Sequence, residues 1–169
     1  DNSPFQARMV KEEKDFNSDW WGDWVKEEKA AALPGAKEWL DTLKANGVKI
    51  FYITNRKIEA STLVNVQKVL DATADTSNLM CKGERDWGSD KTSRRKIVAK
   101  THRILMLFGD DYNDFTWLGK GISTKDRLTK AEGYTMADDT KKDALPFLYM
   151  SMCFFEMSKR EQYAVDYPH

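Results

Sequence analysis

The sequence predicts an α/β fold built as a three-layer parallel sheet. Two apolar runs, 48–53 and 103–108, have the length and composition of buried strands. Helical patterns lie between them at 57–71 and 90–101. Strands separated by helices of this length pair in parallel through right-handed crossovers. The alternation therefore favours a wound sheet over a helical bundle or a β-sandwich.

A helical segment is predicted ahead of these strands. Residues 12–32 are charged and rich in tryptophan, and they end in a run of alanines. The next helix is expected to begin at Pro34, which suits the first helical position, and to stop at Gly47.

The composition indicates one globular domain. The chain has 169 residues, of which 41% are hydrophobic and 32% charged. Its 27 basic residues equal its 27 acidic residues, so net charge favours neither a nucleic acid polymer nor an anionic membrane as partner. We expect a single domain over residues 1–169, with an aromatic cap segment (1–33), a core (34–118) and a C-terminal part (119–169) that the pattern does not assign.

A turn rich in aspartate follows the second predicted strand. Gly109 lets the backbone turn sharply, and Asp110, Asp111 and Asp114 then lie at the strand's carboxyl end, where open α/β sheets bind ligands. Three carboxylates on one turn repel each other unless a hard cation such as Mg²⁺ lies among them. The alternative is an acidic turn that caps the next helix, and the turn alone favours the metal only slightly.

Polar groups also follow the first predicted strand. The hydroxyl of Thr54, the amide of Asn55 and the guanidinium of Arg56 can together hold a phosphate or similar oxyanion. Further along, Asp90 is expected to cap a helix whose first residue is Lys91. From the local sequence alone, Lys91 would be a solvent-exposed lysine at a helix start. Its position in the chain, between Thr54 and the acidic turn, favours a functional role instead.

Six motifs in order resemble the haloacid dehalogenase (HAD) phosphohydrolases, and more closely the class C acid phosphatases, a branch that includes lipoproteins. The resemblance spans residues 1 to about 118 and implies a HAD-like Rossmannoid fold with a helical, aromatic cap segment. The motifs are DNSPF (1–5), WWGDWV (20–25), LPGAKEWL (33–40), FYITNR (51–56), DKTSRR (90–95) and FGDDYNDF (108–115).

The resemblance implies a Mg²⁺-dependent acid phosphatase that acts on phosphomonoesters through an aspartyl-phosphate. In this family an Asp-x-Asp run on the first strand supplies the nucleophile and the general acid/base. That run would precede Asp1, so we expect an N-terminal piece ahead of the printed sequence, and we expect the printed chain alone to be inactive. The alternative is an inactive HAD-like module that binds phosphate or nucleotide. A purely structural protein is disfavoured, because packing alone does not require Thr54, Lys91, Asp110 and Asp114.

The resemblance also assigns roles at the acidic turn. Asp110 would be a direct Mg²⁺ ligand. Asp111 stands where relatives often carry asparagine, so it would act indirectly or through water. Asp114 would complete the acidic cluster or orient the waters of the metal.

For the phosphate, the resemblance implies that Thr54 hydrogen-bonds the transferring phosphoryl group and that Asn55 supports its loop. Lys91 would offset the phosphate charge and keep the nucleophile ionised. Whether Arg56 and Arg94 contact substrate or form ion pairs inside the fold stays open.

In the same branch, aromatic residues of the cap segment stack on the ring of the leaving group, which would suit nucleoside monophosphates or aryl phosphates. Here the candidates are Phe5, Trp20, Trp21 and Trp24. The alternative is that these rings form core, as aromatic residues more often do.

The cellular setting comes from resemblance alone. Relatives are exported, so we expect a periplasmic, outer-membrane or extracellular protein, with any lipid anchor attached through a signal that precedes Asp1. Cys81 and Cys153 are expected to be buried thiols, and a disulfide in an oxidising compartment is the alternative. The oligomeric state is not predicted.

Overall fold

The computed structural model describes residues 2–109 together with Asp114, Phe115, Ser123 and Asp126. The chain divides into two compact units, Asp1–Ser89 and Asp90–His169. The predicted C-terminal part, 119–169, lies almost entirely outside the described residues. The predicted single domain with three parts stays a prediction.

The first unit contains four helices and two short strands among its described residues. In chain order they are α1 (Ser3–Lys11), α2 (Ser18–Lys26), α3 (Ala36–Ala45), β1 (Tyr52–Ile53), α4 (Glu59–Val69) and β2 (Leu79–Met80), followed by a 3₁₀ turn (Glu84–Asp86). The described part of the second unit contains α5 (Thr92–Ala99). No helix in these described stretches is long and apolar enough to cross a membrane.

The cap segment forms two helices, α1 and α2, in place of the single one predicted. Asn17 begins α2 because its side-chain oxygen accepts hydrogen bonds from the backbone amides of Asp19 and Trp20, at 2.9 and 3.1 Å. The helix predicted over 12–32 is therefore wrong in its bounds, since only α2 within that range is helical.

Two glycines in the left-handed region bound α3. Gly47, at φ 77°, donates its backbone N–H to the carbonyl oxygen of Lys44 at 2.9 Å, which confirms the predicted stop. The start is different from the prediction, because Gly35 at φ 78° is the N-cap and the helix begins at Ala36. Pro34 therefore lies before the helix and not at its first position.

The sheet of the described region is a parallel pair. Tyr52 of β1 is in register with Leu79 of β2, and Ile53 with Met80. The backbone N–H of Thr54 continues the ladder to the carbonyl oxygen of Met80 at 3.1 Å. Parallel pairing through a helical crossover agrees with the prediction, but the partner strand β2 was not predicted, because two residues leave too short a pattern to detect.

The predicted strand at 103–108 is not formed. Residues 103–109 have no regular secondary structure, and Leu105 and Phe108 are exposed. The apolar run predicted burial, but a strand also needs a neighbouring backbone to pair with, and hydrophobicity does not specify that partner. The predicted helices at 57–71 and 90–101 are present as the shorter α4 and α5.

A buried carboxylate links α3, β1 and the turn after α4. Asp71 is 3% exposed and accepts hydrogen bonds from the Lys44 ammonium at 2.7 Å and the Tyr52 hydroxyl at 3.0 Å. It also accepts bonds from the backbone amide and hydroxyl of Thr73, at 3.0 and 2.7 Å. Burial acts to raise the pKa of Asp71, but the bonds from Lys44, Thr73 and Tyr52 outweigh it and lower that pKa to about 2.

We expect Asp71→Asn to destabilise the protein by about 2 kcal/mol at neutral pH. The folded-state pKa lies below the ordinary value of 3.8. The contribution of Asp71 is therefore complete above about pH 4 and is lost as the pH falls towards 2. Urea unfolding between pH 3 and pH 7 should accordingly show a smaller rise in the free energy of unfolding for this variant than for the wild type.

The matched control is Asp23→Asn, since Asp23 pairs with Lys26 at 2.9 Å on the exposed surface. It should leave both the stability and its pH dependence nearly unchanged. An Asp71→Asn protein with the pH dependence of the wild type would contradict the assigned network.

Candidate active site

The polar loop after β1 is held mainly by backbone contacts. Thr54 directly follows the strand, and its side-chain oxygen accepts a hydrogen bond from the backbone N–H of Arg56 at 3.2 Å. The exposed Asn55 donates its side-chain amide to the carbonyl oxygen of Ser89 at 3.1 Å. These bonds tie Thr54 to Arg56 and Asn55 to Ser89, while the predicted roles of Thr54 and Asn55 towards phosphate stay predictions.

A second loop, residues 82–89, braces the first. The backbone N–H of Lys82 donates to the carbonyl oxygen of Arg56 at 3.1 Å, and its ammonium donates to the Ser89 hydroxyl at 2.6 Å. Within this loop Arg85 and Asp86 have φ values of 46° and 60°, a strained conformation for residues other than glycine. Sequence reasoning missed this loop because it missed β2.

Arg56 lies between polar amides and aromatic rings. Its guanidinium donates to the side-chain oxygens of Asn2 and Asn65, at 3.0 and 3.3 Å. It also lies over the rings of Trp21 and Trp24, at 5.8 and 5.1 Å from their centroids. Burial lowers the pKa of Arg56. Among residues 2–109 no carboxylate pairs with it, so the ion pair considered for this arginine is not found there.

The aromatic residues of the cap helices form a cluster with an inner and an outer part. Phe5 and Trp24 are 2% and 3% exposed, so both rings are covered by protein. Trp20 and Trp21 are half-buried, with ring centroids 5.3 and 5.0 Å from that of Phe5. Phe16 was not predicted, yet it is 64% exposed and its ring lies 6.3 Å from that of Phe5. Substrate stacking stays a prediction, and the outer rings have the more accessible faces.

The signal that could have identified Phe16 is its position. It is an aromatic residue in a polar turn, between two helices whose other rings pack inward.

In the second unit, the predicted lysine and one predicted carboxylate come together. The ammonium of Lys91 donates to the Asp114 carboxylate at 2.6 Å, and the two side chains are 14% and 15% exposed. The guanidinium of Arg95 donates to the carbonyl oxygen of Asp114 at 2.6 Å and to the Thr92 hydroxyl at 3.0 Å. Sequence reasoning assigned no role to Arg95, because the contact depends on where the backbone of Asp114 lies relative to α5.

The start of α5 differs by one residue from the prediction. Lys91 is the N-cap and Thr92 the first helical residue. The carboxylate of Asp90 still accepts a hydrogen bond from the backbone N–H of Thr92 at 2.8 Å, so it does satisfy a helix-start amide.

Gly109 makes room for the acidic turn. A Cβ atom at this position would lie 2.5 Å from both the Cβ and the Oδ2 atoms of Asp114, closer than real Cβ contacts allow. Only glycine therefore permits the close approach of this carboxylate. Asp110 and Asp111 lie outside the described residues, and no group of three metal-ligating side chains is found in the described part.

The contacts separate into two sets with different chemistry. Thr54 and Asn55 provide neutral donors in the first unit, whereas Lys91 and Asp114 provide an opposed pair of charges in the second. Neutral donors and a largely buried cation both suit the binding of an oxyanion. Carboxylate oxygens, by contrast, suit a hard divalent cation.

Comparison with known proteins supplies the family. Residues 1–135 match the sequence family described as HAD superfamily, subfamily IIIB (Acid phosphatase). Two crystal structures of the class C acid phosphatase from Bacillus anthracis, one of them with tungstate bound, are similar to this chain at 28% identity and a TM-score of 0.69. Each match covers 99% of this chain, and the two cover 76% and 75% of the other chain.

These matches confirm the predicted family and its α/β fold with parallel strands. The family match includes the loop after β1, the start of α5 and the acidic turn, so the motifs that predicted the family lie inside the matched range. The chain belongs to the acid phosphatases of HAD subfamily IIIB.

Proposed function

We propose that this chain is part of a Mg²⁺-dependent acid phosphatase that hydrolyses phosphomonoesters through an aspartyl-phosphate. The observation that carries the proposal is the 2.6 Å contact between Lys91 and Asp114. The pair holds the lysine in one place at low exposure, and a fixed cation is what a transferring phosphoryl group requires. Family membership supports the same reaction class.

The proposed role of Lys91 is to offset phosphate charge in a partly water-excluded site. Its side chain is 14% exposed, so its charge acts at an effective dielectric lower than that of bulk water. Thr54 is proposed to donate its hydroxyl to the phosphoryl group. That hydroxyl accepts a bond from the backbone N–H of Arg56, and a threonine hydroxyl can donate as well as accept.

The metal is proposed to bind at the acidic turn. Asp110 would be the direct ligand, Asp111 would act indirectly or through water, and Asp114 would complete the cluster. The described geometry fits, because Gly109 leaves space for the Asp114 carboxylate and oxygen donors suit Mg²⁺. When bound, Mg²⁺ would neutralise the phosphoryl oxygens.

The proposed substrates are nucleoside monophosphates or aryl phosphates. Phe16, Trp20 and Trp21 expose aromatic surface on which a leaving-group ring can stack, for roughly 1–3 kcal/mol per base in comparable systems. The tungstate bound by the Bacillus anthracis relative is a tetrahedral oxyanion, as phosphate is, which supports an oxyanion site here.

By the resemblance, we propose that the nucleophile and the general acid/base lie ahead of Asp1. In this proposal the full-length protein is the catalyst. A periplasmic, outer-membrane or extracellular location is proposed on the same ground.

Asp110→Asn in the full-length protein should abolish turnover of p-nitrophenyl phosphate and weaken Mg²⁺ binding, while leaving the thermal midpoint nearly unchanged. The reason is that an amide is a weaker ligand for a hard cation than a carboxylate. Calorimetric Mg²⁺ titration and steady-state kinetics measure the two effects. Asp126→Asn is the control, because Asp126 hydrogen-bonds Ser123 on the exposed surface. Full activity in Asp110→Asn would mean that the metal binds elsewhere, and Mg²⁺ binding without hydrolysis in the wild type would favour a binding module.

Lys91→Met should lower kcat by about 10²-fold or more for every phosphomonoester, because the phosphoryl group is common to all of them. The measurement compares kcat for p-nitrophenyl phosphate, adenosine monophosphate and glycerol 2-phosphate. Lys96→Met, which removes an exposed lysine of the same helix, should change none of them. A loss confined to substrates with bulky leaving groups would contradict the proposed role of Lys91.

Gly109→Ala should reduce turnover by roughly tenfold or more, because its Cβ would displace the Asp114 carboxylate that lies 2.5 Å away. The loss should be accompanied by a higher Mg²⁺ concentration at half-maximal activity. Gly88→Ala is the matched control, since a Cβ there meets nothing within 4 Å and its φ is not positive. Equal kinetics for both variants would show that the close approach at Gly109 is not needed.

A further inference from the structure

Among residues 2–109, one cation of the first unit has no carboxylate partner and is not used by the proposed chemistry. The guanidinium of Arg56 lies over Trp24 and Trp21, at 5.1 and 5.8 Å from their ring centroids, and donates to the side-chain oxygens of Asn2 and Asn65. Burying an arginine among neutral partners costs free energy, because no opposite charge replaces its lost hydration. Such an arrangement calls for a role beyond filling space.

The contacts of the Arg56 side chain reach three elements of the first unit. Trp21 and Trp24 belong to α2, Asn2 is the N-cap of α1, and Asn65 lies on α4. Asn65 is itself 3% exposed and donates to the carbonyl oxygen of Ala30 at 2.9 Å, which fixes the chain after α2. The side chain therefore connects the aromatic cap helices to the helix of the crossover.

The backbone of the same residue connects to the proposed phosphate loop. The N–H of Arg56 donates to the Thr54 hydroxyl at 3.2 Å, and its carbonyl oxygen accepts from the Lys82 backbone at 3.1 Å. A single residue thus contacts the hydroxyl proposed to bind phosphate and the ring of Trp21, which is one of the rings proposed to stack on the leaving group.

We propose that Arg56 is a positioning residue that sets the aromatic cluster of α1 and α2 relative to Thr54, and so adapts the site to phosphomonoesters with an aromatic leaving group. This inference rests on the proposed function. Arg56 acts through Thr54, Trp21 and Trp24 and does not itself contact the reacting atoms.

The planar guanidinium is required by this geometry. It donates in two directions in one plane, to Asn2 and Asn65, while its face lies over the indole rings. A lysine ammonium can also lie over an indole ring, but it has no rigid fork with which to hold both amides. Lysine should therefore restore part of the positioning and methionine none.

The test uses the full-length protein as wild type, Arg56→Lys, Arg56→Met and Arg8→Met, at a temperature where circular dichroism shows all four folded. Arg8 is the matched control, because it also joins α1 to the end of α2, through a bidentate pair with Glu27 at 2.7 and 3.1 Å. Each protein is assayed with p-nitrophenyl phosphate, which has an aromatic leaving group, and with glycerol 2-phosphate, which has none.

For Arg56→Met we expect kcat to fall at least tenfold for both substrates, because the backbone N–H that holds Thr54 loses the side-chain anchor to Asn2 and Asn65. We also expect KM to rise at least threefold for p-nitrophenyl phosphate alone, because the rings are displaced. Arg56→Lys should lie between Arg56→Met and the wild type for both effects. The tryptophan emission spectrum should change in Arg56→Met and not in Arg8→Met, since the Arg56 guanidinium lies over Trp21 and Trp24, whereas that of Arg8 pairs with Glu27.

If Arg56 had a purely structural role, the thermal midpoint would fall in both Arg56→Met and Arg8→Met. The folded variants would keep the wild-type kcat and the wild-type ratio of KM for p-nitrophenyl phosphate to KM for glycerol 2-phosphate. That result with an active wild type overturns the inference and leaves the proposed function standing. A wild type that hydrolyses neither substrate overturns the proposed function, and this inference with it. If Arg56→Met does not fold, Arg56→Lys decides, and wild-type kinetics in that variant also overturn the inference.

Discussion

The parallel pairing of β1 with β2 is the constraint on which the site of the first unit depends. It fixes the backbone of Thr54 through the bond to Met80, so the loops that follow the two strands start from the same edge. Loop 82–89 then braces the loop after β1 through Lys82 and Ser89. A pair of two-residue strands is weak by itself. The contacts that flank the strand pair therefore do most to keep its register. The main one is the hydrogen bond from the Tyr52 hydroxyl to the buried Asp71.

Buried polar side chains specify how the cap helices meet the crossover helix. Asn65 is 3% exposed, donates to the carbonyl oxygens of Ala30 and Glu28, and accepts from Arg56. Aromatic packing around Phe5 supplies apolar burial, but it tolerates small rotations of one ring against another. Directional hydrogen bonds do not tolerate them, because each lost partner leaves a buried polar group unsatisfied. The rings give this region its stability, and Asn65 and Arg56 give it a unique arrangement.

Sequence periodicity predicted α4 and α5, and turn chemistry predicted the stop at Gly47, because both signals are local. The motifs predicted the family, because six short motifs in the same order would rarely occur by chance even though each is weak alone. The strand at 103–108 failed because pairing needs a second backbone that composition does not identify. The roles of Arg95 and Phe16 were missed for a related reason. Which side chain reaches Asp114, and which ring stays outside the cluster, are decided by tertiary contacts.

Charge balance in the second unit argues for a divalent cation at the acidic turn. Lys91 and Asp114 form an ion pair, and the Arg95 guanidinium donates to the carbonyl oxygen of Asp114 and to the hydroxyl of Thr92. In the proposed function, a bound phosphomonoester would bring about two further negative charges, and the sequence adds the carboxylates of Asp110 and Asp111 after Gly109. One lysine whose charge is already offset by Asp114 cannot compensate for all of these at low exposure, where charges are poorly screened. In the proposed function, a hard dication bound by carboxylate oxygens would correct this imbalance, and the close approach allowed by Gly109 would keep Asp114 in position to take part.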